Sequence, residues 1–107
     1  MNTERRKQRS EKPHEAVKLY LDALRKSGLE ALALGTEDGD LVAGAGPLDV
    51  EWMASIAASA RLSTFAWDDR VIHVRRLEVN HVPMYLSSAG GSVQDDAVSS
   101  IQRILAM

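Results

Sequence analysis

Residues 29–60, LEALALGTEDGDLVAGAGPLDVEWMASIAASA, carry the pattern on which the fold prediction depends. Two short apolar segments flank residues 37–40, and the Asp-Gly pair in this turn is a strong signal for a β-hairpin. Pro47 then suits the first turn of a helix, because its missing N–H has no partner there. The stretch therefore predicts strand, turn, strand and helix, with the helix running to Ala60.

The predicted helix is apolar or small on nearly every side. From Trp52 to Ala60 it has no charged residue, whereas a helix lying on one face of a small sheet normally has a polar outer side. A chain of 107 residues has little other material to cover such a helix, so we expect a second copy of the chain to do so. The alternative is a central core helix within a monomer. The residues predicted to form this homodimer interface are Trp52, Met53, Ile56, Ala57, Ala60, Phe65 and Trp67.

Length and composition indicate one folded domain with ordinary contents of hydrophobic (45%) and charged (26%) residues. The chain has no cysteine, which excludes disulfides, thiolate metal sites and cysteine nucleophiles. No apolar run approaches the roughly 20 residues that span a bilayer, and the basic N-terminus has no apolar segment behind it. We therefore expect no transmembrane segment, no secretory signal and a cytoplasmic location.

The charge is unevenly distributed. Residues 1–12 carry five cations and two acids, or +3, within a chain of net charge −2, which leaves −5 on residues 13–107. This composition predicts a disordered basic arm over residues 1–12 ahead of a folded domain over residues 13–107. The acidic body argues against a specific nucleic-acid partner, because nucleic-acid-binding surfaces are basic. Attachment of the arm to an acidic protein or an anionic membrane stays open.

The rest of the chain completes the element order. A first helix is predicted from Pro13 to about Ser27, strands over residues 62–67, 70–79 and 82–88, and a last helix capped by Ser92. The buried stripe expected on the first helix is Ala16, Leu19, Tyr20, Ala23 and Leu24. The order α-β-β-α-β-β-β-α predicts an α+β domain: an antiparallel five-stranded sheet with one helix on one face and two on the other.

Three stretches resemble the roadblock domain, a family related to a dynein light chain and common in bacteria. They are LEALALGTEDGDLVAGAG (29–46), DVEWMASIAASA (49–60) and RRLEVNHVPMYLSSAGG (75–91) followed by an amphipathic helix. The resemblance covers roughly residues 14–107 and rests on apolar and turn residues. It implies a profilin-like fold and a homodimer or heterodimer, in which central helices and the following strands build one continuous sheet. It also implies a platform for small Ras-like GTPases, or an adaptor in motor and signalling complexes.

No arrangement of residues predicts catalysis, a metal or a cofactor. His73 and His81 do not supply the three or four convergent ligands of a metal site. Neither Ser87 nor Ser88 lies in a nucleophile-elbow pattern. The glycines of residues 44–46 lie between a strand and a helix, but no lysine follows them as in a phosphate-binding loop. We therefore expect a protein that is not an enzyme.

Two classes of function remain. The first is a non-catalytic regulator or scaffold that homodimerises and binds a small Ras-like GTPase or a motor or signalling complex. Arg75 and Arg76 are its partner-binding candidates, with solvated or internally paired arginines as the alternative. The second class is a small-ligand sensor of profilin-like or PAS-like build, which needs a few polar groups converging in an apolar pocket. The inward positions are mostly Leu, Val, Ile and Ala, which favours the first class.

Overall fold

A computed structural model describes the backbone of residues 2–60 and 63–106 and the side chains of residues 14–59 and 63–106. The described residues form three helices and five strands in the predicted order. The elements are α1 (Asn2–Lys26), β1 (Ala31–Thr36), β2 (Leu41–Ala45), α2 (Val50–Ala60), β3 (Thr64–Trp67), β4 (Arg70–Val79), β5 (Val82–Ala89) and α3 (Asp95–Leu105). The predicted α+β class is confirmed.

The five strands form one antiparallel sheet in the order β2-β1-β5-β4-β3. Helix α2 lies on one face, against β1, β5 and β2. Helices α1 and α3 lie side by side on the other face, α1 mainly over β2 and α3 over β4. This arrangement confirms the prediction of one helix on one face and two on the other, and it leaves β2 and β3 as the two edges.

Strand β1 is buried on both faces, because helices cover both sides of the sheet at this point. Leu32 and Leu34 pack into the core beneath α1 and α3, whereas Ala31 and Ala33 pack beneath α2. The small side chains let α2 approach closely: a Cβ added at Gly35 would come within 2.9 Å of an α2 side chain. The alternation predicted from the sequence is confirmed, since successive strand residues point to opposite faces.

Two-residue loops connect β3 to β4 and β4 to β5. Asp68 and Asp69 have φ angles of 49° and 63°, and Asn80 and His81 have φ angles of 52° and 68°. Left-handed conformations at both loop residues are the signature of type I′ hairpin turns, whose twist matches that of the strands. Each loop therefore fixes the register of the two strands that it joins.

Helix α2 begins later than predicted. Pro47 lies outside it, and the helix starts at Val50. Asp49 is the residue that caps it, because the Asp49 Oδ1 accepts a hydrogen bond of 3.0 Å from the backbone N–H of Trp52. The side-chain cap decided the start of the helix, rather than the proline.

Helix α3 also begins later in the chain than predicted. Ser92 is not the cap: the helix starts at Asp95, and Gln94 holds the N-cap position in an extended conformation with no side-chain hydrogen bond. Between them, Val93 is 5% exposed and packs into the core under α1 and α3. Burial of that side chain keeps the chain extended for two residues beyond Ser92.

Helix α1 begins at Asn2, ahead of the helix start predicted at Pro13. The disordered basic arm over residues 1–12 stays a prediction. Pro13 lies inside the helix, where it removes one backbone hydrogen bond. The domain boundary at residue 13 stays a prediction. None of the described helices is both long and apolar enough to cross a membrane.

The buried stripe of α1 is displaced from the predicted one. Val17 and Leu21 are fully buried, and Tyr20 and Leu24 pack partly against the same core. Leu19, predicted to be buried, is 71% exposed. The helical spacing of residues 17, 21 and 24 sets the core face, and Leu19 lies well off it.

Candidate interaction surface

The predicted interface residues of α2 divide into two groups. Met53 and Ala57 have no exposed surface and lie in the core beneath α2, so a second copy cannot reach them. Trp52 and Ile56 are half-buried on the flank of the helix. The side chain of Ala60 is outside the described residues. The prediction of an interface through Met53 and Ala57 is corrected, because the sheet, not a second chain, covers this side of the helix.

The outward side of α2 is formed by Glu51, Ser55 and Ser59, which are all exposed. The helix therefore does have a polar outer side, made of small serines after the first turn. Ser59 donates its hydroxyl hydrogen bond to the backbone oxygen of Ser55, so the two serines form a low, uncharged ridge. A ridge of this shape permits close approach by another surface without the burial of a charge.

An aromatic cluster joins α2 to the edge strand β3. The Trp52 and Trp67 rings stack with centroids 4.3 Å apart, and Phe65 packs edge-on against Trp52 at 6.1 Å. All three residues are half-buried, so part of each ring faces solvent. The structure thus brings together three predicted interface residues at one corner of the molecule.

Among the described residues, β3 pairs only with β4, so its outer edge has backbone groups without a strand partner there. The Ser63 carbonyl accepts a hydrogen bond of 2.8 Å from the Val74 N–H, and the two-residue loop closes β3 on β4 at Trp67 and Arg70. Residues in an antiparallel pair alternate between facing the partner strand and facing away. Thr64 therefore directs its N–H and C=O away from β4, as does Ala66, and β3 carries neither charge nor proline.

The opposite edge, β2, is protected. The pairing of β1 with β2 shifts at Val42, which forms a bulge. The Lys18 ammonium donates a hydrogen bond of 3.1 Å to the carbonyl oxygen of Gly44 and lies beside the strand. Bulges and edge lysines are devices that discourage pairing with another strand. The two edges of this sheet are therefore different: β2 is blunted and β3 is open.

The two partner-binding candidates on β4 have different environments. Arg75 donates a hydrogen bond of 2.9 Å to the Val93 carbonyl and forms an ion pair with Asp95, so it holds the start of α3. Arg76 is exposed on the α2 face of the sheet, opposite Tyr85. The sequence left open that these arginines are paired within the protein instead of binding a partner. Arg75 is paired in this way. Arg76 is the more accessible of the two for a partner.

A salt bridge that sequence reasoning missed ties β3 and β4 to the start of β1. Arg70 donates to both carboxylate oxygens of Glu30, at 2.8 and 3.2 Å, and also to the backbone oxygen of Asp68 at 3.2 Å. The hydrogen bond from Arg70 lowers the pKa of Glu30. The same contact raises the pKa of Arg70, which stays charged. Glu30 and Arg70 are 40 residues apart, so no local sequence signal identifies the pair.

The remaining sequence candidates do not converge. His73 lies within β4 and His81 in the β4–β5 loop, and no group of three or more potential ligands among the described residues could hold a metal ion. The hydroxyls of Ser87 and Ser88 are buried and donate to backbone carbonyls. The space at Gly44 is filled, because an added Cβ would meet a Val50 methyl at 2.7 Å.

A cleft of about 440 Å³ lies between the end of α1 and the start of α3. Its apolar lining includes Tyr20, Leu24 and Leu29, and its polar lining includes Gln94 and Asp96. Its volume falls within the range of small-molecule sites, although none of the described side chains leaves a buried polar atom unpaired there.

The architecture defines a roadblock fold: a five-stranded antiparallel sheet between one helix and two, with one open edge. No family model and no curated protein matches the sequence. Among solved structures the chain is similar to MglB of Myxococcus xanthus, a roadblock-fold protein, with a TM-score of 0.59 and 14% sequence identity. The match covers 87% of this chain and 86% of that chain. At this identity the similarity establishes the fold.

Proposed function

We propose that this protein is a non-catalytic scaffold that homodimerises through β3 and the adjacent flank of α2 and binds a small Ras-like GTPase. The observation that carries the proposal is the contrast between its two sheet edges. Strand β2 is blunted by a bulge and by Lys18, whereas β3 is open, uncharged and bordered by half-buried aromatic rings. An open edge of this kind is a site for pairing with another strand.

The composition of the surface around β3 suits a second copy of the chain. Trp52, Phe65 and Trp67 are aromatic residues of the type enriched in the cores of interfaces. The neighbouring ridge of Ser55 and Ser59 adds no charge that a dimer would have to desolvate. A two-fold axis at the β3 edge would place both α2 helices on the same face of one continuous sheet.

The proposed partner rests on the roadblock resemblance, together with the roadblock fold. In such a dimer the two α2 helices and the β4 strands present one shared face, and Arg76 is exposed on it. We propose that Arg76 contacts an acidic group of the GTPase. Arg75 is already paired with Asp95, so its role is to position α3.

The alternative, a small-ligand sensor, draws on the cleft between α1 and α3. Its volume of about 440 Å³ is sufficient for a small molecule. A native mass spectrum of the mildly purified protein separates the two functions: a dimer without added mass supports the scaffold, whereas a retained small molecule supports the sensor.

Light scattering at tens of micromolar tests the dimer. We expect the wild-type protein to be dimeric and Ala66→Pro to be monomeric and folded. The Ala66 N–H points away from β4, so proline removes no hydrogen bond within the protomer but removes a donor across the interface. Ala66→Ser, which keeps the N–H, is the matched control and should remain dimeric. A monomeric wild-type protein would contradict the proposal.

Direct binding tests the partner. A small GTPase that co-purifies with the protein should bind the purified dimer in calorimetry, with different affinities for its GDP-loaded and GTP-analogue-loaded forms. Arg76→Gln should weaken binding and leave the dimer intact, whereas Glu78→Gln, a change of charge two residues along the same strand, should not weaken it. Failure of every co-purifying GTPase to bind directly would exclude this partner class.

A further inference from the structure

The cleft between the end of α1 and the start of α3 lies on the face of the sheet opposite to α2. The surface proposed for the dimer and its partner is elsewhere, at the β3 edge and on the α2 face. The cleft has a volume of about 440 Å³, within the range of small-molecule sites. The residues that line it determine which kind of molecule it can hold.

The deepest part of the cleft is apolar. Val93 is 5% exposed and Ala97 is 6% exposed, and both belong to the core beneath α1 and α3. The half-buried side chains of Tyr20, Leu24 and Leu29 also line the cleft. Contact with these groups removes apolar surface of a ligand from water, so a ligand that fits the cleft has an apolar body.

The charge of the cleft comes from one side chain. Asp96 is exposed, and it is the only charged residue among the described residues that line the cleft. No cation of the described part of the chain forms a salt bridge with it, whereas the neighbouring Asp95 is paired with Arg75. A ligand that balances the charge of Asp96 is a cation.

The start of α3 would by itself favour an anion, because the first N–H groups of a helix carry partial positive charge. Gln94 leaves these groups without a side-chain cap. Asp95 and Asp96 in the first turn oppose this field, and an anion in the cleft would lie beside the carboxylate of Asp96. The lining therefore disfavours phosphate and carboxylate ligands.

The polar groups of the cleft include acceptors that suit the N–H groups of an ammonium ion. Ser27 donates its hydroxyl hydrogen bond to the Leu24 carbonyl at 2.6 Å, so its oxygen can only accept a further one. The Asp96 carboxylate accepts only, and the Gln94 amide oxygen is another acceptor. A primary ammonium group has three donors and no acceptor. The Tyr20 ring adds an aromatic surface of the kind that attracts cations.

We propose that this cleft binds a small organic cation: an apolar body that carries one primary ammonium group. The body contacts Val93, Ala97 and the half-buried side chains around them, and the ammonium group lies at the rim beside Asp96. This site is independent of the homodimer and of the GTPase partner, so either proposal can fail without the other.

Three matched probes separate the charge from the apolar body. They are 2-phenylethylamine, which is a cation at neutral pH, the neutral 2-phenylethanol and the anionic 3-phenylpropionate. Binding is followed through the backbone amide chemical shifts of the isotope-labelled full chain. We expect the amine to bind with a Kd on the order of 1–10 mM, as for other very small ligands. It should shift the amides of Gly28, Val93 and Ala97, which line the cleft.

The alcohol should bind about threefold to fivefold more weakly than the amine, because its body fits but it does not balance an exposed carboxylate. The carboxylate probe should bind most weakly of the three. Asp96→Asn should weaken the amine to the level of the alcohol and leave the affinity of the alcohol unchanged. Asp22→Asn removes an acid of α1 that does not line the cleft, so it is the matched control and should change neither affinity.

A second variant tests the location without changing the charge. Ser92 is exposed and lines the cleft, so the large ring of Ser92→Trp should occupy it and weaken the binding of both the amine and the alcohol. Equal affinities of the amine and the alcohol, or tighter binding of the carboxylate probe, would overturn the proposal. An equal loss in Asp22→Asn and Asp96→Asn, amide shifts confined to other parts of the molecule, or no binding of the amine would also overturn it.

Discussion

His81 holds a left-handed backbone conformation, with φ at 68°, in the loop between β4 and β5. A residue with a Cβ is strained there by roughly 1–2 kcal/mol, whereas glycine is not. Asn-Gly is the preferred pair for this turn, and Asn80 already holds the first position. We expect His81→Gly to raise the melting temperature by several degrees, as measured by circular dichroism.

The control for this substitution is Gly46→Ala, which should act in the opposite direction. Gly46 has a φ of 104°, and an added Cβ would collide with the Glu30 carbonyl oxygen. Equal effects of the two substitutions on the melting temperature, or a lower melting temperature in His81→Gly, would show that backbone strain at residue 81 does not lower the stability of the protein.

The stability contributed by Glu30 depends on pH. Its pKa is lower in the folded protein because Arg70 donates hydrogen bonds to the carboxylate. The contribution is therefore fully present above the unfolded pKa of about 4.3 and is lost as the pH falls through the lower folded value. We expect Glu30→Gln to melt below the wild type at pH 7, with the gap closing towards pH 2.5. Asp22→Asn, which removes a more exposed pair with Lys18, should show a smaller gap. A gap that is independent of pH would show that the carboxylate charge is not involved.

Individual contacts were the least predictable feature of this sequence. The alternation of Leu and Ala along β1 correctly gave both of its faces, because a period of two is a local property. The pairing of Arg70 with Glu30 depends on the sheet order, which places residues 40 positions apart side by side. Burial of Met53 under α2 depends in the same way on which side of the helix meets the sheet.

Two adjacent arginines on β4 provide a test at the scale of whole elements. Arg75 attaches β4 to the start of α3 through the Val93 carbonyl and Asp95, whereas Arg76 is exposed. We expect Arg75→Gln to lower the free energy of unfolding by about 1 kcal/mol, mostly from the hydrogen bond to Val93, since an exposed ion pair contributes little. Arg76→Gln should change it by less than about 0.5 kcal/mol. Urea titration measures both, and equal losses would contradict the division of roles.

The strands were predicted more accurately than the helix starts. The Asp-Gly pair correctly placed the loop between β1 and β2. The Asp-Asp and Asn-His pairs placed the facing ends of β3, β4 and β5, because a two-residue loop leaves the chain few choices. Helix starts depend on a side chain that caps the first turn or on burial of the preceding residue. Asp49 decided the start of α2 through its side chain, and Val93 decided the start of α3 through its burial. The burial of Val93 is a tertiary property that no local pattern shows. The aromatic residues predicted for the candidate surface do come together. Pairing at the β3 edge beside them was implied by the roadblock resemblance alone, because the residue pattern of β3 does not show which strand lies at an edge.

At the scale of the molecule, residues 1–12 can be removed to test the domain boundary. They contain almost no apolar residue, so they can contribute little buried surface to folding. We expect deletion of residues 1–12 to leave the melting temperature and the proposed dimer unchanged. A large fall in melting temperature would show that this part of α1 packs against the acidic body. Any attachment through this segment to an anionic surface should weaken steeply as salt is added.

The bulge at Val42 and the Lys18 contact with Gly44 would also limit the size of the proposed assembly. A sheet with two open edges would recruit further copies at both ends and grow into a ribbon. Here the pairing of two β3 strands would leave only blunted β2 strands at the outer ends, so growth would terminate at two copies. The bulge and the Lys18 contact would thus together separate a defined complex from a fibre.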